Sequence, residues 1–167
     1  MSAAVVRRAQ PSDLQPLTDI YNHYVLHTPV TFDIAPWTLE RRAAWLAGFG
    51  DGGRHQLFVA ELDGRVVGYG GSGRFRAKAA YDTSVESSVY LDPDATGQGL
   101  GKRLYTRLLS ELEGTGVHRV MAGMTLPNDV SRALHLGMGF TSCGVMHEVG
   151  HKFDRYWDVE WLERRMP

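Results

Sequence analysis

The spacing of apolar residues predicts one strand and two helices in the first third of the chain. Residues 5–9 are predicted to form a short strand. Apolar residues then recur three and four positions apart, which predicts a helix that Ser12 caps and that stops before Pro29. A second helix is predicted from Thr38, its cap, to Gly48. The apolar positions of this second helix are Leu39, Ala43, Trp45 and Leu46.

The rest of the chain is predicted to contain six strands and two helices. Asp63-Gly64 stands between the first two strands and is a strong signal for a hairpin turn. Leucines at every fourth position after Leu100 predict an amphipathic helix, and a shorter helix is predicted over 128–136. This order predicts a mixed α/β (α+β) fold, with a mixed central sheet of about six to seven strands flanked by helices. The six strands are predicted at 57–62, 66–71, 83–91, 119–126, 140–149 and 156–162.

Length and charge favour one soluble domain over residues 1–167. The 18 Lys and Arg residues almost balance the 19 Asp and Glu residues, so no electrostatic feature indicates a nucleic-acid partner. Short arginine pairs such as Arg41-Arg42 are expected on solvated faces. No apolar run approaches the roughly 20 residues of a membrane span, and the first residues lack the apolar stretch of a signal peptide. We therefore expect no membrane partner.

Cysteine and histidine usage argues against a metal or disulfide role. Cys143 is the only cysteine, which excludes an intrachain disulfide and favours the reducing cytoplasm as the compartment. On its predicted strand, Cys143 is expected to be a small core residue rather than a nucleophile. Histidines stand four apart at 23 and 27 and at 147 and 151, but the first of these pairs lacks the adjacent glutamate of a zinc-protease motif. No metal is expected.

A glycine-rich segment, 96–102, joins the strand at 83–91 to the helix that begins at Leu100. Glycines allow a ligand to approach the backbone closely, and the free N–H groups of a helix start attract phosphate oxygens. The segment does not match a Walker loop, because Arg103 follows Lys102. It does not match the dinucleotide fingerprint either, because the last glycine of that pattern is missing. A pyrophosphate cradle remains, and a glycine turn without a ligand is the alternative.

Several segments occur in an order and spacing that are specific in combination. They are 86–91, then 97–101, then Asn128 and Gly139-Phe140, with further segments at 21–24, 80–82, 126–129, 149–153 and 157–159. Together they resemble the GNAT N-acetyltransferase superfamily and, within it, the phosphinothricin and methionine sulfoximine acetyltransferase branch. The chain departs from the superfamily at Thr96, where members usually carry Arg or Gln.

The resemblance implies a single GNAT domain that uses acetyl-CoA as cosubstrate. The expected reaction moves the acetyl group to the primary amine of a small amino-acid-like substrate, by direct attack in a ternary complex. The resemblance also implies a homodimer. Two alternatives remain open: a non-catalytic acetyl-CoA-binding sensor on the same fold, and an acetyltransferase for a polyamine, an aminoglycoside or a protein N-terminus.

Two residues are the candidate catalytic groups. Glu86 is a carboxylate inside an otherwise apolar strand, and partial burial would raise its pKa toward a value useful to a general base. The alternative for Glu86 is a salt bridge to Arg74 or Arg76. The resemblance implies that His135 protonates the departing thiolate, and an imidazole can give or take a proton at neutral pH. The alternative for His135 is a histidine on the helix surface.

The resemblance also assigns binding residues. Arg76 is the favoured partner for a substrate carboxylate, because a guanidinium matches that group with two parallel hydrogen bonds. Asn128 could equally cap the helix it precedes. The expected coenzyme-binding residues are Val89, Tyr90, Leu91, Gly97, Gln98, Gly99, Leu100, Gly101, Lys102, Asn128 and Ser131. The expected substrate-binding residues are Phe32, Phe75, Arg76, Lys78 and Tyr81.

Overall fold

A computed structural model describes residues 4–167. Within them the chain forms seven strands, four α-helices and three short 3-10 turns. In chain order the helices and strands are β1 (Val5–Arg8), α1 (Leu14–His27), α2 (Leu39–Leu46), β2 (Leu57–Leu62), β3 (Arg65–Arg74), β4 (Ser84–Leu91), α3 (Leu100–Leu112), β5 (Arg119–Thr125), α4 (Asp129–Gly137), β6 (Thr141–Lys152) and β7 (Arg155–Arg165).

The strands form one mixed sheet, which confirms the predicted architecture. Its order is β1-β2-β3-β4-β5-β7-β6, and only β4 and β5 run parallel to each other. These two strands pair from Ser84 to Glu86 of β4 and no further. Beyond that point β4 stays paired with β3, and β5 stays paired with β7. The sheet therefore opens between β4 and β5.

The two faces of the sheet are covered by different helices. Helix α3 packs its leucine stripe on one face, where it meets Val85 and Val120 of the parallel pair. Helices α1 and α2 cover the other face, and their core combines aliphatic and aromatic side chains in similar numbers. The periodicity that predicted α3 is what produces this packing, since its leucines share one side of the helix.

Local signals in the sequence correctly predicted one hairpin turn and one helix cap, and wrongly predicted a second helix cap. The turn at Asp63-Gly64 joins β2 to β3, and the Thr38 hydroxyl caps α2 by accepting from the Arg41 N–H at 3.2 Å. The predicted Ser12 cap is wrong, because residues 11–13 form a 3-10 turn. The Asp13 carboxylate instead accepts from the Gln10 N–H at 2.8 Å and pairs with Arg7, which ties the helix start to β1.

Two predictions of exposure are also wrong. Arg42, expected on a solvated face, is only 2% exposed because aromatic rings from α1, α2 and β3 surround its guanidinium. Cys143, expected in the core, is exposed because β6 is the outer strand of the sheet. Strands β6 and β7 extend further than predicted, because their turn needs only Phe153 and Asp154, both at positive φ.

Two kinds of feature are not found in residues 4–167. None of the helices there is both long enough and apolar enough to cross a membrane. Nor do three or more His, Cys, Asp or Glu side chains meet in a way that could hold a metal ion.

Candidate active site

A cavity of about 230 Å³ lies where β4 and β5 separate. Both strands, the start of α4 and the connection between α1 and α2 contribute to its walls. The lining residues are Val30, Thr31, Phe32, Glu86, Ser87, Ser88, Val89, Tyr90, Gly123, Met124, Thr125, Asn128 and Ser131. The cavity thus joins a catalytic candidate, Glu86, to several of the predicted coenzyme residues.

The edge of β4 that faces this cavity carries open backbone groups. In an antiparallel ladder, alternate residues direct both their N–H and C=O to the same neighbouring strand. The Asp92 N–H donates to Val67 O at 2.8 Å, so even-numbered residues of β4 face β3. Val89 and Leu91 consequently direct their backbone groups into the opening. The Tyr24 hydroxyl already donates to Leu91 O at 2.6 Å, which leaves Val89 as the freest point for an extended ligand.

The glycine segment forms a turn that ends at the start of α3. Gly97 and Gly99 have φ of 75° and 73°, a conformation that favours glycine, and a Cβ at either would meet open space. Gly99 is the residue before α3, so the N–H groups of 100–102 have no acceptor within the helix. These N–H groups and the helix dipole suit an anion. The turn therefore fits the pyrophosphate of a coenzyme.

Glu86 presents a carboxylate to the cavity that no side chain in residues 4–167 binds by a hydrogen bond or an ion pair. The salt-bridge alternative is wrong: Arg74 instead lies 3.5 Å from Asp82, and Arg76 acts only at longer range. Burial raises the pKa of the Glu86 carboxyl, and the positive charge of Arg76 partly opposes that shift. A carboxylate with a raised pKa that faces a cavity has the properties of a general base.

His135 lies beneath the cavity rather than on its lining. It is 7% exposed, so the helix-surface alternative is wrong. Its Nδ1 donates to Ser131 O at 2.7 Å, because a carbonyl can only accept. Its Nε2 then accepts from the Tyr105 hydroxyl at 2.7 Å, and that hydroxyl is 3.1 Å from Ser87 Oγ. Burial lowers the pKa of His135, which favours the neutral imidazole.

The predicted binding residues fall into two places. Asn128 and Ser131 line the cavity, and the Asn128 side chain also caps α4 by accepting from the Ser131 N–H at 3.1 Å. Phe32 lines the cavity as well. The other four substrate candidates lie on the connection from β3 to β4, outside the cavity lining. They are Phe75, Arg76, Lys78 and Tyr81.

Those four residues form only a loose group. The Phe75 ring packs edge-on against the Tyr81 ring, with centroids 5.8 Å apart, and the Arg76 guanidinium lies 4.9 Å from the Phe75 ring centre. Arg76 and Lys78 are exposed. The charge of Arg76 nevertheless acts on Glu86, which keeps it within electrostatic range of the cavity.

An aromatic cluster that sequence patterns did not reveal supports the wall behind Tyr90. Tyr21, Tyr24 and Tyr69 each place their ring centroid within 5.3–5.4 Å of the Tyr90 centroid. Burial and the Asp33 carboxylate, which accepts a hydrogen bond from the Tyr21 hydroxyl, raise the pKa of Tyr21 to about 12. The sequence shows these aromatic residues singly, but only the fold brings together rings from α1, β3 and β4.

Arg42 lies within the same cluster. Its guanidinium carbon is 3.5 Å from the Trp45 ring centre and 4.6 Å from that of Tyr21. Its Nη2 donates to the Tyr69 hydroxyl at 2.7 Å, whereas its buried Nε has no partner within residues 4–167. A buried charge with a single hydrogen bond is unusual, and it sits directly behind the rings that support the cavity.

Comparisons with known proteins agree on one family. The family model described as "Acetyltransferase (GNAT) family" matches residues 17–140. A phosphinothricin N-acetyltransferase of Streptomyces coelicolor is 47% identical over 161 residues, covering 95% of this chain and 94% of that protein. An L-methionine sulfoximine/L-methionine sulfone acetyltransferase of Salmonella typhimurium is 35% identical over 166 residues, covering 96% of this chain and 94% of its own.

A solved structure extends the similarity to the fold. A GNAT superfamily phosphinothricin acetyltransferase from Sinorhizobium meliloti, in complex with acetyl-CoA, has a TM-score of 0.93 and 32% identity. The match covers 99% of this chain and 89% of that one.

Proposed function

The chain belongs to the GNAT acetyltransferase family, and we propose that it transfers the acetyl group of acetyl-CoA to the primary amine of a small amino-acid-like substrate. Phosphinothricin and methionine sulfoximine are the candidate acceptors, since relatives that span nearly the whole chain are named for them. The observation that carries the proposal is the Glu86 carboxylate, which has no side-chain partner in the described part of the chain and lies beside the open edge of β4. We assign this activity to one domain over residues 1–167, acting in the cytoplasm.

We assign the coenzyme to the glycine turn and the opening of the sheet. Acetyl-CoA supplies the reactive acetyl thioester. The free N–H groups at 100–102, with Gly97, Gln98 and Gly99 before them, would hold its pyrophosphate. The backbone of Val89 would pair with the pantetheine arm, with Tyr90 and Leu91 continuing the strand and Asn128 and Ser131 across the opening. A backbone N–H of β4 would then stabilise the developing oxyanion.

Glu86 would act as the general base. The amine arrives as an ammonium ion, and the carboxylate takes one proton so that the nitrogen lone pair can attack the thioester carbon. A tetrahedral intermediate forms, the C–S bond breaks, and the thiolate leaves. The second proton on nitrogen passes to the thiolate. The products are the N-acetylated amine and the free thiol, and the proton on Glu86 returns to solvent.

His135 would accept a hydrogen bond from the Tyr105 hydroxyl rather than supply a proton to the thiolate. Its Nδ1 proton is held by Ser131 O, so the hydrogen bonds run from the Ser87 side of the cavity through the Tyr105 hydroxyl to Nε2. In this arrangement the Nε2 of the neutral imidazole carries no proton, so His135 cannot donate one toward the thiolate. We therefore propose that His135 stays neutral and holds the Tyr105 hydroxyl, and through it the Ser87 side chain, in place beside the cavity.

A homodimer is part of the proposal. The outer strand β6 has only β7 as a neighbour, and Val145, Met146 and Val149 on it are exposed. An exposed strand edge with apolar side chains suits a second copy of the same chain. Sedimentation at micromolar concentration should give twice the mass of one chain, and a sedimenting monomer would contradict this part of the proposal.

The first experiment measures thiol release from acetyl-CoA with a panel of amines. The panel contains phosphinothricin, methionine sulfoximine, ordinary amino acids, polyamines, an aminoglycoside and a peptide with a free N-terminus. We expect preferential turnover of the first two. Turnover of a polyamine or the peptide instead would keep the acetyltransferase and replace its acceptor class. Coenzyme binding without turnover of any amine would favour the sensor alternative.

A further inference from the structure

The tip of the β6–β7 hairpin packs against the connection between α1 and α2. That connection supplies Thr31 and Phe32 to the cavity wall. The Nζ of Lys152 donates to Thr31 O at 2.8 Å, although the two residues are 121 positions apart. Lys152 is only 4% exposed, which is unusual for a lysine that no carboxylate within residues 4–167 pairs with directly. The last residues of β6 therefore contact the wall of the candidate active site.

Gly150 makes the second contact of the hairpin with this connection. A Cβ at Gly150 would stand 2.1 Å from the Phe32 ring, so only glycine allows the ring to lie where it does. Gly150 and Lys152 are two residues apart on a strand and therefore point to the same side. Gly150 therefore leaves room for the Phe32 ring, and Lys152 binds the carbonyl of Thr31, the residue before Phe32.

The connection is also held from its other side. The Thr31 hydroxyl is 2.9 Å from the Tyr21 hydroxyl, and Asp33 accepts from Trp37 Nε1 at 2.7 Å. The hairpin itself is braced, since Trp157 Nε1 donates to Lys152 O at 2.8 Å. The residues on both sides of Phe32 are therefore held in place, while its ring packs on Gly150 of the hairpin.

Burying the Lys152 ammonium costs free energy, which indicates that its contact with Thr31 serves to hold this part of the chain in place. Burial lowers the pKa of the ammonium, and the negative charge of Asp33 opposes that shift. One backbone acceptor and the Phe153 ring, whose centre is 5.1 Å from Nζ, recover only part of the hydration that an ammonium loses on burial. A solvated side chain at this position would avoid that loss, so the contact is better explained by what it holds in place.

We propose that Gly150 and Lys152 form a clamp that fixes Thr31 and Phe32 and so sets the shape of the acceptor side of the cavity. They are positioning residues that determine specificity for the acceptor amine. This inference rests on the proposed function, because it assigns Phe32 to the acceptor rather than to the coenzyme.

The kinetic test uses Lys152→Met, which keeps the length and the apolar stem but removes the donor. We expect the KM for the acceptor to rise about tenfold or more, with kcat and the KM for acetyl-CoA within about twofold of wild type. Lys152→Arg should restore much of the affinity, because a guanidinium can still donate to Thr31 O. Arg165→Met is the matched control: an exposed cation at the far end of the same hairpin, it should leave all three constants unchanged.

A second measurement does not depend on turnover. Hydrogen exchange should become faster in residues 28–36 of Lys152→Met, while exchange in α3 stays as in wild type. Wild-type protein that acetylates no amine would overturn the proposed function, yet the exchange experiment would still test the clamp. Unchanged exchange together with an unchanged acceptor KM would overturn the clamp. Faster exchange throughout the chain would overturn it too, because Lys152 would then be a general structural residue.

Discussion

The two faces of the sheet on either side of β4 are built from different chemistry. Under α3 the core is mostly aliphatic, with the rings of Phe58, Tyr105 and Phe140 among its leucines and valines, and Leu104 and Leu108 are completely buried; we call this the aliphatic face. Under α1 and α2 aromatic rings make up about half of the core, with tyrosine hydroxyls and the guanidinium of Arg42 inside it, and we call this the aromatic face. Glu86 and Tyr90 project toward the aromatic side, whereas Val85 and Ser87 project toward the aliphatic side.

This difference indicates that the two faces of the sheet have different roles. Aliphatic side chains gain free energy on burial and carry no polar atom that needs a partner. The aromatic face contains several polar atoms, and at least one of them, Nε of Arg42, has no partner in the described residues. Such a core contributes less to stability than an aliphatic core does, but its contacts hold the rings in fixed positions behind a cavity. We infer that the α3 face stabilises the fold and the aromatic face shapes the site.

The largest expected effect tests the aliphatic face. Leu108→Ala should lower the free energy of unfolding by about 2–5 kcal/mol, because it removes a buried side chain and leaves a cavity. Urea unfolding measures this loss, and Leu108→Met should lose less than about 1.5 kcal/mol because the volume is kept. Below the unfolding transition, kcat of the alanine variant should match wild type. A large fall in kcat would show that the two faces are not separate in function.

The next effect tests the pocket side of β4. Glu86→Gln should lower kcat about 100-fold or more at neutral pH, as expected for loss of a general base. Its affinity for acetyl-CoA, measured by calorimetry, should hardly change. In wild type, the acid limb of kcat/KM should lie at higher pH than for an exposed glutamate, because burial raises the pKa of Glu86. Turnover at the wild-type rate would remove Glu86 as the base.

The same substitution has a consequence for stability. A carboxyl whose pKa rises on folding holds its proton more tightly in the folded state. Its contribution to stability is therefore present at acid pH and is lost as pH rises through the raised pKa. Glu86→Gln should unfold at a higher temperature than wild type at pH 7, and the difference should shrink toward pH 4. A lower melting temperature at pH 7 would mean that the charged carboxylate has a stabilising partner.

A smaller effect tests the polar network on the aliphatic face that reaches the cavity. Tyr105→Phe removes the hydroxyl that connects Ser87 to His135 and leaves buried polar groups unpaired. We expect a loss of about 1–3 kcal/mol in the free energy of unfolding and a fall of about tenfold in kcat. Loss of stability with kcat intact would make His135 and Tyr105 structural residues only. Ser110→Ala, an exposed hydroxyl on the same helix, is the control and should change neither quantity.

Features whose cause lies within one helix or turn could be predicted from the sequence, whereas features that depend on a distant residue could not. The hairpin at Asp63-Gly64, the Thr38 cap and the leucine stripe of α3 follow from residues within one element, and all three are confirmed. The Ser12 cap failed because Arg7, on another element, draws Asp13 into an ion pair. Local patterns cannot show competition from a distant partner.

The same reasoning separates the site residues. Glu86 stood out because a carboxylate within an apolar strand is a local anomaly. The burial of His135 needs Tyr105 and Phe140 from other elements, and the contact of Lys152 with Thr31 spans most of the chain. No periodicity in the sequence reports either arrangement. The roles of Arg76, Lys78 and Tyr81 in substrate binding stay predictions.

The smallest expected change in stability comes from the most deeply buried charge. Arg42→Met would lose a hydrogen bond to Tyr69, worth about 1.5–3 kcal/mol, and contacts with the aromatic rings, worth about 0.5–2 kcal/mol. It would also remove a desolvation penalty of several kcal/mol for a guanidinium that is 2% exposed. These terms nearly cancel, so the free energy of unfolding should stay within about 1 kcal/mol of wild type.

The function of the Arg42→Met protein should change more than its stability. Without the guanidinium, Tyr21 loses a cation–π contact and Tyr69 loses a hydrogen bond. The Tyr90 wall of the cavity is then held less firmly. We expect the acceptor KM to rise several-fold. Arg41→Met is the matched control, because Arg41 is exposed and lies 3.7 Å from the Trp37 ring; it should change neither quantity. A loss above about 3 kcal/mol for Arg42→Met would show that the aromatic face stabilises the fold as strongly as the leucines beneath α3 do.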